Sequence, residues 1–172
     1  MRVTCLSCIA RFALCAFVAA AAADVDAQSS DRRFASGRPP IPVRPSALAS
    51  TVSELAGYPV SVPLARIIWV VDQHAVVIES DSTFGPYWRD RGRVLVLLRR
   101  DRSLAIPRPP IAIAPVTVIG EARTLLGVQA AHDVPWPDAL TRREVERLNI
   151  RAAILATSVQ TSEGVELTSS VP

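Results

Sequence analysis

Apolar residues recur with a period of two through most of the chain after residue 60, and that pattern predicts strands rather than helices. Ala65–Val71 is β-branched and aromatic, with Ile67, Trp69 and Val71 on one face. Asp72-Gln73-His74 interrupts the run and Ala75–Glu79 resumes it, so the two segments read as a hairpin. Arg93–Leu98 is apolar on both faces, which suits a central strand or one curled inside a barrel. Val116–Leu125 alternates, with Val116, Val118 and Ala122 inward and Thr117, Glu121 and Arg123 outward. Gly120 in its middle predicts a bulge or sharp bend. Arg151–Val159 completes a set of five strands.

Helical signals are fewer. Ser46 is placed to cap a short helix with Leu48, Val52 and Leu55 on one side, stopped by Gly57 and Pro59. Thr141-Arg-Arg-Glu144 has the spacing of a capping box, Val145 and Leu148 face the core, and Asn149 suits a left-handed end. Between Arg99 and Pro115 the prolines Pro107, Pro109, Pro110 and Pro115 rule out a regular helix or central strand. An extended crossing is expected there, pinned by Ile106, Ile111 and Ile113.

The N-terminus reads as an export signal. Arg2 and Arg11 precede the apolar run Phe12–Ala23, and small residues offer cleavage after Ala23 or Ala27. The run falls well short of the ~20 residues of a membrane span. The expected organisation is a signal peptide at 1–27, a proline-rich disordered tether at 28–45, a folded domain at 46–160 and a disordered tail at 161–172. The expected location is periplasmic or secreted, with no transmembrane span in the mature protein. Cys5, Cys8 and Cys15 all lie in the leader, so the mature chain is expected to lack thiols, disulfides and thiolate metal sites. Neither Cys8 nor Cys15 follows the apolar run, which argues against lipid attachment.

Charge adds one asymmetry to a balanced chain. The sequence carries 19 basic residues, all arginine, and a formal net charge of +3. Between Arg89 and Arg108 seven arginines face only Asp90 and Asp101, a local net charge of +5. Such a stretch attracts an anionic partner or merely keeps an exposed hairpin soluble.

Arg66–Val71, Ala75–Glu79, Arg93–Leu97, Val116–Arg123 and Ala152–Thr157 together resemble the bacterial extracytoplasmic relatives of the OB-fold, over about residues 60–160. The resemblance implies an all-β protein, a small five-stranded OB-like barrel with one helix before the last strand, and a binding module. It departs from that fold in one respect. The usual helix between strands three and four is replaced here by the proline-rich connection.

Candidate ligand-binding residues are Tyr87, Trp88, Arg89, Arg91, Arg93, Arg99, Arg100 and Arg102, where aromatic faces stand beside guanidinium groups. Against that, three aromatics in one loop, Phe84, Tyr87 and Trp88, more often cover a core than bind a ligand. His74 and His132 have nearby carboxylates, but no histidine pair at ligand spacing. Glu79 and Glu121 lie on strands and invite a glycosidase-like pair, though strand carboxylates are more often solvated or paired with arginine, here Arg66 or Arg123. Trp136 between two prolines is expected to stack on the barrel wall. The sequence has no nucleophile elbow or phosphate loop. The leading expectation is therefore a non-catalytic binding or interaction module of the bacterial envelope, with no cofactor or metal. Its expected partner is an anionic glycan, a lipid headgroup or an acidic protein, ahead of nucleic acid. The alternative is an envelope-polymer hydrolase using Glu79, Glu121 or His132.

Overall fold

The computed structural model describes residues 38–80, 92–106 and 115–170. In chain order these form β1 (Ile41–Pro42), α1 (Pro45–Leu55), β2 (Pro59–Asp72), β3 (Ala75–Ser80), β4 (Arg93–Leu97) and β5 (Arg102–Leu104). Then follow β6 (Val116–Thr124), α2 (Leu125–Gln129), α3 (Arg142–Arg147), β7 (Ile150–Thr161) and β8 (Thr168–Ser170). The expected leader, the 81–91 loop with its aromatics, and Ile111 and Ile113 lie outside the described residues.

Five strands close into a barrel in the order β2-β3-β4-β7-β6, and β6 pairs back onto β2. Closure depends on the length of β2. Pro59–Ala65 pairs antiparallel with β6, and Ala65–Asp72 pairs antiparallel with β3. The change of partner coincides with a register shift between Val62 and Ala65, where Leu64 takes a left-handed φ of 52°. An extra residue at that point bends one strand enough to serve both edges. The β4–β7 pairing is parallel and the other barrel pairings are antiparallel. A parallel neighbour needs a long crossover, and the chain from Leu98 to Asn149 supplies it.

Gly120 behaves as its position in the pattern predicts. The β6–β7 register shifts between Ile119 and Gly120. A Cβ there would sit 2.4 Å from the Leu155 carbonyl oxygen and 2.7 Å from Ala156 Cα. The two strands approach more closely than any side chain allows.

Two apolar cores flank the sheet. Inside the barrel Val60, Val62, Val76, Ile78, Val94, Val96, Val118 and Ile154 are fully buried, with Leu48 of α1 packed among them. On the outer face Ala75, Val77, Leu95, Leu97 and Ala153 are equally buried beneath Val128, Val134 and Leu140 of the β6–β7 connection. That second core explains why β4 is apolar on both faces. Each fully buried valine or leucine contributes roughly 1.5–3 kcal/mol. Trp136 packs in the outer core as expected, and its Nε1–H donates to the Leu140 carbonyl at 3.1 Å.

Several local expectations need correction. Ile67 does not share a face with Trp69 and Val71. A bulge between Ile67 and Trp69 sends Ile67 and Val70 to the interior and Trp69 and Val71 to the outer core. Helix α1 begins at Pro45, with Arg44 rather than Ser46 at the N-cap and no side-chain cap bond. Proline suits that first position because its missing N–H has no helical partner there. Within the expected tether, Ile41–Pro42 pairs parallel with Val60–Ser61. Within the expected tail, Thr168–Ser170 pairs with Arg102–Leu104. Between β6 and β7 the described residues hold two helices, α2 as well as the expected α3. In α2 the Gly127 N–H donates to Thr124 Oγ1 at 3.1 Å. In α3 the Glu144 N–H donates to Thr141 Oγ1 at 3.2 Å, while the Glu144 carboxylate turns to Arg147. Asn149 adopts the expected left-handed conformation, φ 51°.

Candidate functional site

The basic stretch is divided by the strand it spans. Arg93 opens β4, where its Nε lies 3.6 Å from Glu79 Oε2 and its Nη1–H donates to the Leu148 carbonyl at 3.2 Å. Arg99, Arg100 and Arg102 follow the other end of β4, about 13 Å or more away at the usual strand rise. There Arg99 Nε stands 3.6 Å from Asp133 Oδ2, and Arg102 Nη1–H donates to the Thr157 carbonyl at 2.6 Å. Arg100 is exposed. The structure thus gathers Arg99, Arg100 and Arg102 at one end and leaves Arg93 at the other. Tyr87, Trp88, Arg89 and Arg91 lie outside the described residues.

The two strand carboxylates are placed on the outer side of the sheet, as alternation requires, but that side is covered. Glu79 and Glu121 are each 1% exposed, and of the two expected surroundings, solvent or arginine, each has arginine. Register sets their partners. Glu79 stands opposite Arg66 on β2 and Arg93 on β4, and both arginines reach it. Glu121 meets Arg123 two residues along the same strand, with Arg123 Nε 2.8 Å from Oε1. His132 lies exposed in the β6–β7 connection beside Asp133, which faces Arg99. Among the described residues no three of His, Cys, Asp and Glu converge as metal ligands do.

At the turn end of the barrel a cleft of about 420 Å³ is lined by Val70, Asp72, Gln73, His74, Leu104 and Ile106. That volume is within the usual range for small-molecule sites. Its wall is the β2–β3 turn, tied down on every side. The His74 N–H donates to Asp72 Oδ1 at 2.7 Å. The Leu98 N–H donates to the His74 carbonyl at 2.8 Å, and the Leu104 N–H to the Gln73 carbonyl at 2.7 Å. His74 Nδ1 lies 2.7 Å from the Arg102 carbonyl, which can only accept, so Nδ1 carries a proton. In the neutral ring Nε2 then accepts from the Gln73 amide at 3.1 Å. A turn held by one bond of its own and by three to Leu98, Arg102 and Leu104 presents its side chains with little freedom left to lose.

Sequence reasoning identified Asp72–His74 as a turn and weighed its histidine for metal binding, but not as the wall of a cleft. Its other wall comes from Leu104 and Ile106, about 30 residues on, brought there by the β5–β8 ribbon. A carboxylate locks that ribbon. Glu166 accepts from Ser158 Oγ at 2.6 Å, the Val159 N–H at 3.0 Å, Gln160 Nε2 at 3.2 Å and the Thr168 hydroxyl. Partial burial alone would raise its pKa, but the hydrogen bonds from Ser158, Thr168, Val159 and Gln160 outweigh it and hold the value at about 2. No family model, curated protein or solved structure matches the chain.

Proposed function

We propose that the chain is an exported, non-catalytic binding module built on an OB-like barrel. The observation that carries this reading is the contrast between its two polar regions. Glu79 and Glu121, the carboxylates a hydrolase would use, are buried and engaged by arginines, whereas the Asp72–His74 turn is rigid and opens on a cleft. The closed strand order with one parallel pair is compatible with an OB-like barrel. OB-folds bind on the face of their second and third strands and on adjoining loops. In this chain the corresponding face, β3 and β4, lies under the β6–β7 connection, which leaves the loop end as the place for a partner. Arg99, Arg100 and Arg102 stand at that same end and favour a partner with negative charge, a glycan before a nucleic acid in an exported protein. Export itself rests on the leader-like pattern of residues 1–27. Intact mass of protein recovered outside the cytoplasm is expected to place the N-terminus near Asp24 or Gln28.

Co-sedimentation of the purified chain with an anionic envelope glycan tests the binding reading. Binding should weaken steeply with salt, and no soluble fragments should be released. Arg100→Gln is the informative variant, since Arg99 and Arg102 also make internal contacts, and it should reduce binding. Release of fragments that stops in Glu79→Gln or Glu121→Gln would overturn the proposal in favour of a hydrolase.

A further inference from the structure

We infer that the cleft at the β2–β3 turn is a site for a primary ammonium group on an aliphatic stem, the chemistry of a lysine side chain. The inference rests on the binding reading above and names the ligand chemistry of that site. Its polar side carries a carboxylate and an amide oxygen. Asp72 uses Oδ1 for the His74 N–H, and among the described residues no cation pairs with its carboxylate. Arg102, whose backbone meets His74, sends its guanidinium to the Thr157 carbonyl instead. The His74 tautomer commits the Gln73 amide N–H to His74 Nε2, so the Gln73 carbonyl oxygen remains as a second acceptor. A half-buried carboxylate and an amide oxygen at one cleft offer two of the three bonds an ammonium group donates, the third going to water. An anion placed here would face the Asp72 carboxylate.

The rest of the lining sets the stem. Val70, Leu104 and Ile106 are aliphatic, and Ile106 and Val70 pack partly buried against the interior core. They can cover methylene groups but supply no aromatic face for stacking a ring. The chain has no lysine of its own to compete for the cleft. With Arg99, Arg100 and Arg102 at the same end, the partner surface that fits is anionic overall and carries an amine.

Amide NMR titration of the nitrogen-labelled chain decides the matter, with cadaverine, Nα-acetyl-lysine amide and its uncharged counterpart Nα-acetyl-norleucine amide as probes. Saturable shifts at Val70, Gln73, His74, Leu104 and Ile106 are expected from the amines. The norleucine compound should bind about tenfold or more weakly, the usual worth of a charged hydrogen bond. Asp72→Asn keeps an oxygen for the His74 N–H and should weaken the amines by a similar factor. Tighter binding of the lysine amide than of cadaverine assigns the site to a side chain on a larger partner, and the reverse to a free diamine. Equal affinity for the norleucine compound, or no shift with either amine, overturns the inference on the wild-type chain alone. Undiminished affinity in Asp72→Asn does the same. Should glycan co-sedimentation persist in that event, the binding reading stands without the amine.

Discussion

Glu79→Gln separates a structural carboxylate from a catalytic one. The Glu79 side chain is 2% exposed, and its two partners, Arg66 and Arg93, are 48% and 33% exposed. Removing one member of a fully buried ion pair costs about 3–5 kcal/mol, because the other charge is left in a low dielectric. Here the stranded charges belong to arginines that can turn back into water, which reduces the cost to about 1–2 kcal/mol. For a domain of this size that corresponds to a fall in Tm of roughly 4–8 °C. Thermal and urea unfolding of wild type, Glu79→Gln, Arg66→Gln and the double variant give the coupling directly, and it should exceed about 0.5 kcal/mol. Two results would refute the reasoning. Additive single effects would mean that the ion pair contributes nothing. A Glu79→Gln protein more stable than wild type would mean that the carboxylate is kept at a cost to folding, as catalytic groups are.

The Glu166 knot predicts a pH response in the β5–β8 ribbon. Its folded pKa of about 2 lies below the ordinary 4.5, so its stabilisation is fully present above about 4.5 and fades as pH falls toward 2. Glu166 is largely exposed, so solvent screening limits the effect to about 1 kcal/mol. Hydrogen exchange at Leu104 and Ala105 should accelerate over that window, and Glu166→Gln should remove the pH dependence; an unchanged profile in the variant would assign it elsewhere. Gly120→Ala drives a methyl group into the Leu155 carbonyl and Ala156 Cα, backbone atoms that cannot step aside. A loss of about 3 kcal/mol in urea unfolding is expected, and a loss under about 1 kcal/mol would show that β6 and β7 can separate without cost.

Period-two patterning made the five barrel strands readable, because each has at least one face against the interior and alternation records that directly. The chain breaks were equally local. Asp72 closes the β2–β3 turn with its own side chain, Thr141 caps α3, and Asn149 turns left-handed before β7. What failed did so at bulges and covers. One extra residue between Ile67 and Trp69 moved Ile67 to the opposite face from its neighbours two positions on, and no residue type announces such an insertion. The Glu121 alternation was correct, yet its burial was not foreseen, since alternation tells which face a side chain takes and not whether that face is covered.

The candidate site divides along the same line. By itself the sequence determined that the fold is β-rich, where its five barrel strands lie, that Gly120 marks a bulge or bend, and that basic charge gathers between Arg89 and Arg108. Each of these follows from side-chain alternation, backbone freedom or composition, which act between near neighbours. Only the tertiary structure decided that Glu79 and Glu121 are enclosed, and that Arg93 stands apart from Arg99, Arg100 and Arg102. It alone joined Asp72–His74 to Leu104 and Ile106 in one cleft. Those outcomes depend on barrel closure and on the docking of β8 against β5, pairings between residues more than 50 positions apart. Their registers are set by the summed burial of many side chains, so no local segment of the sequence encodes them.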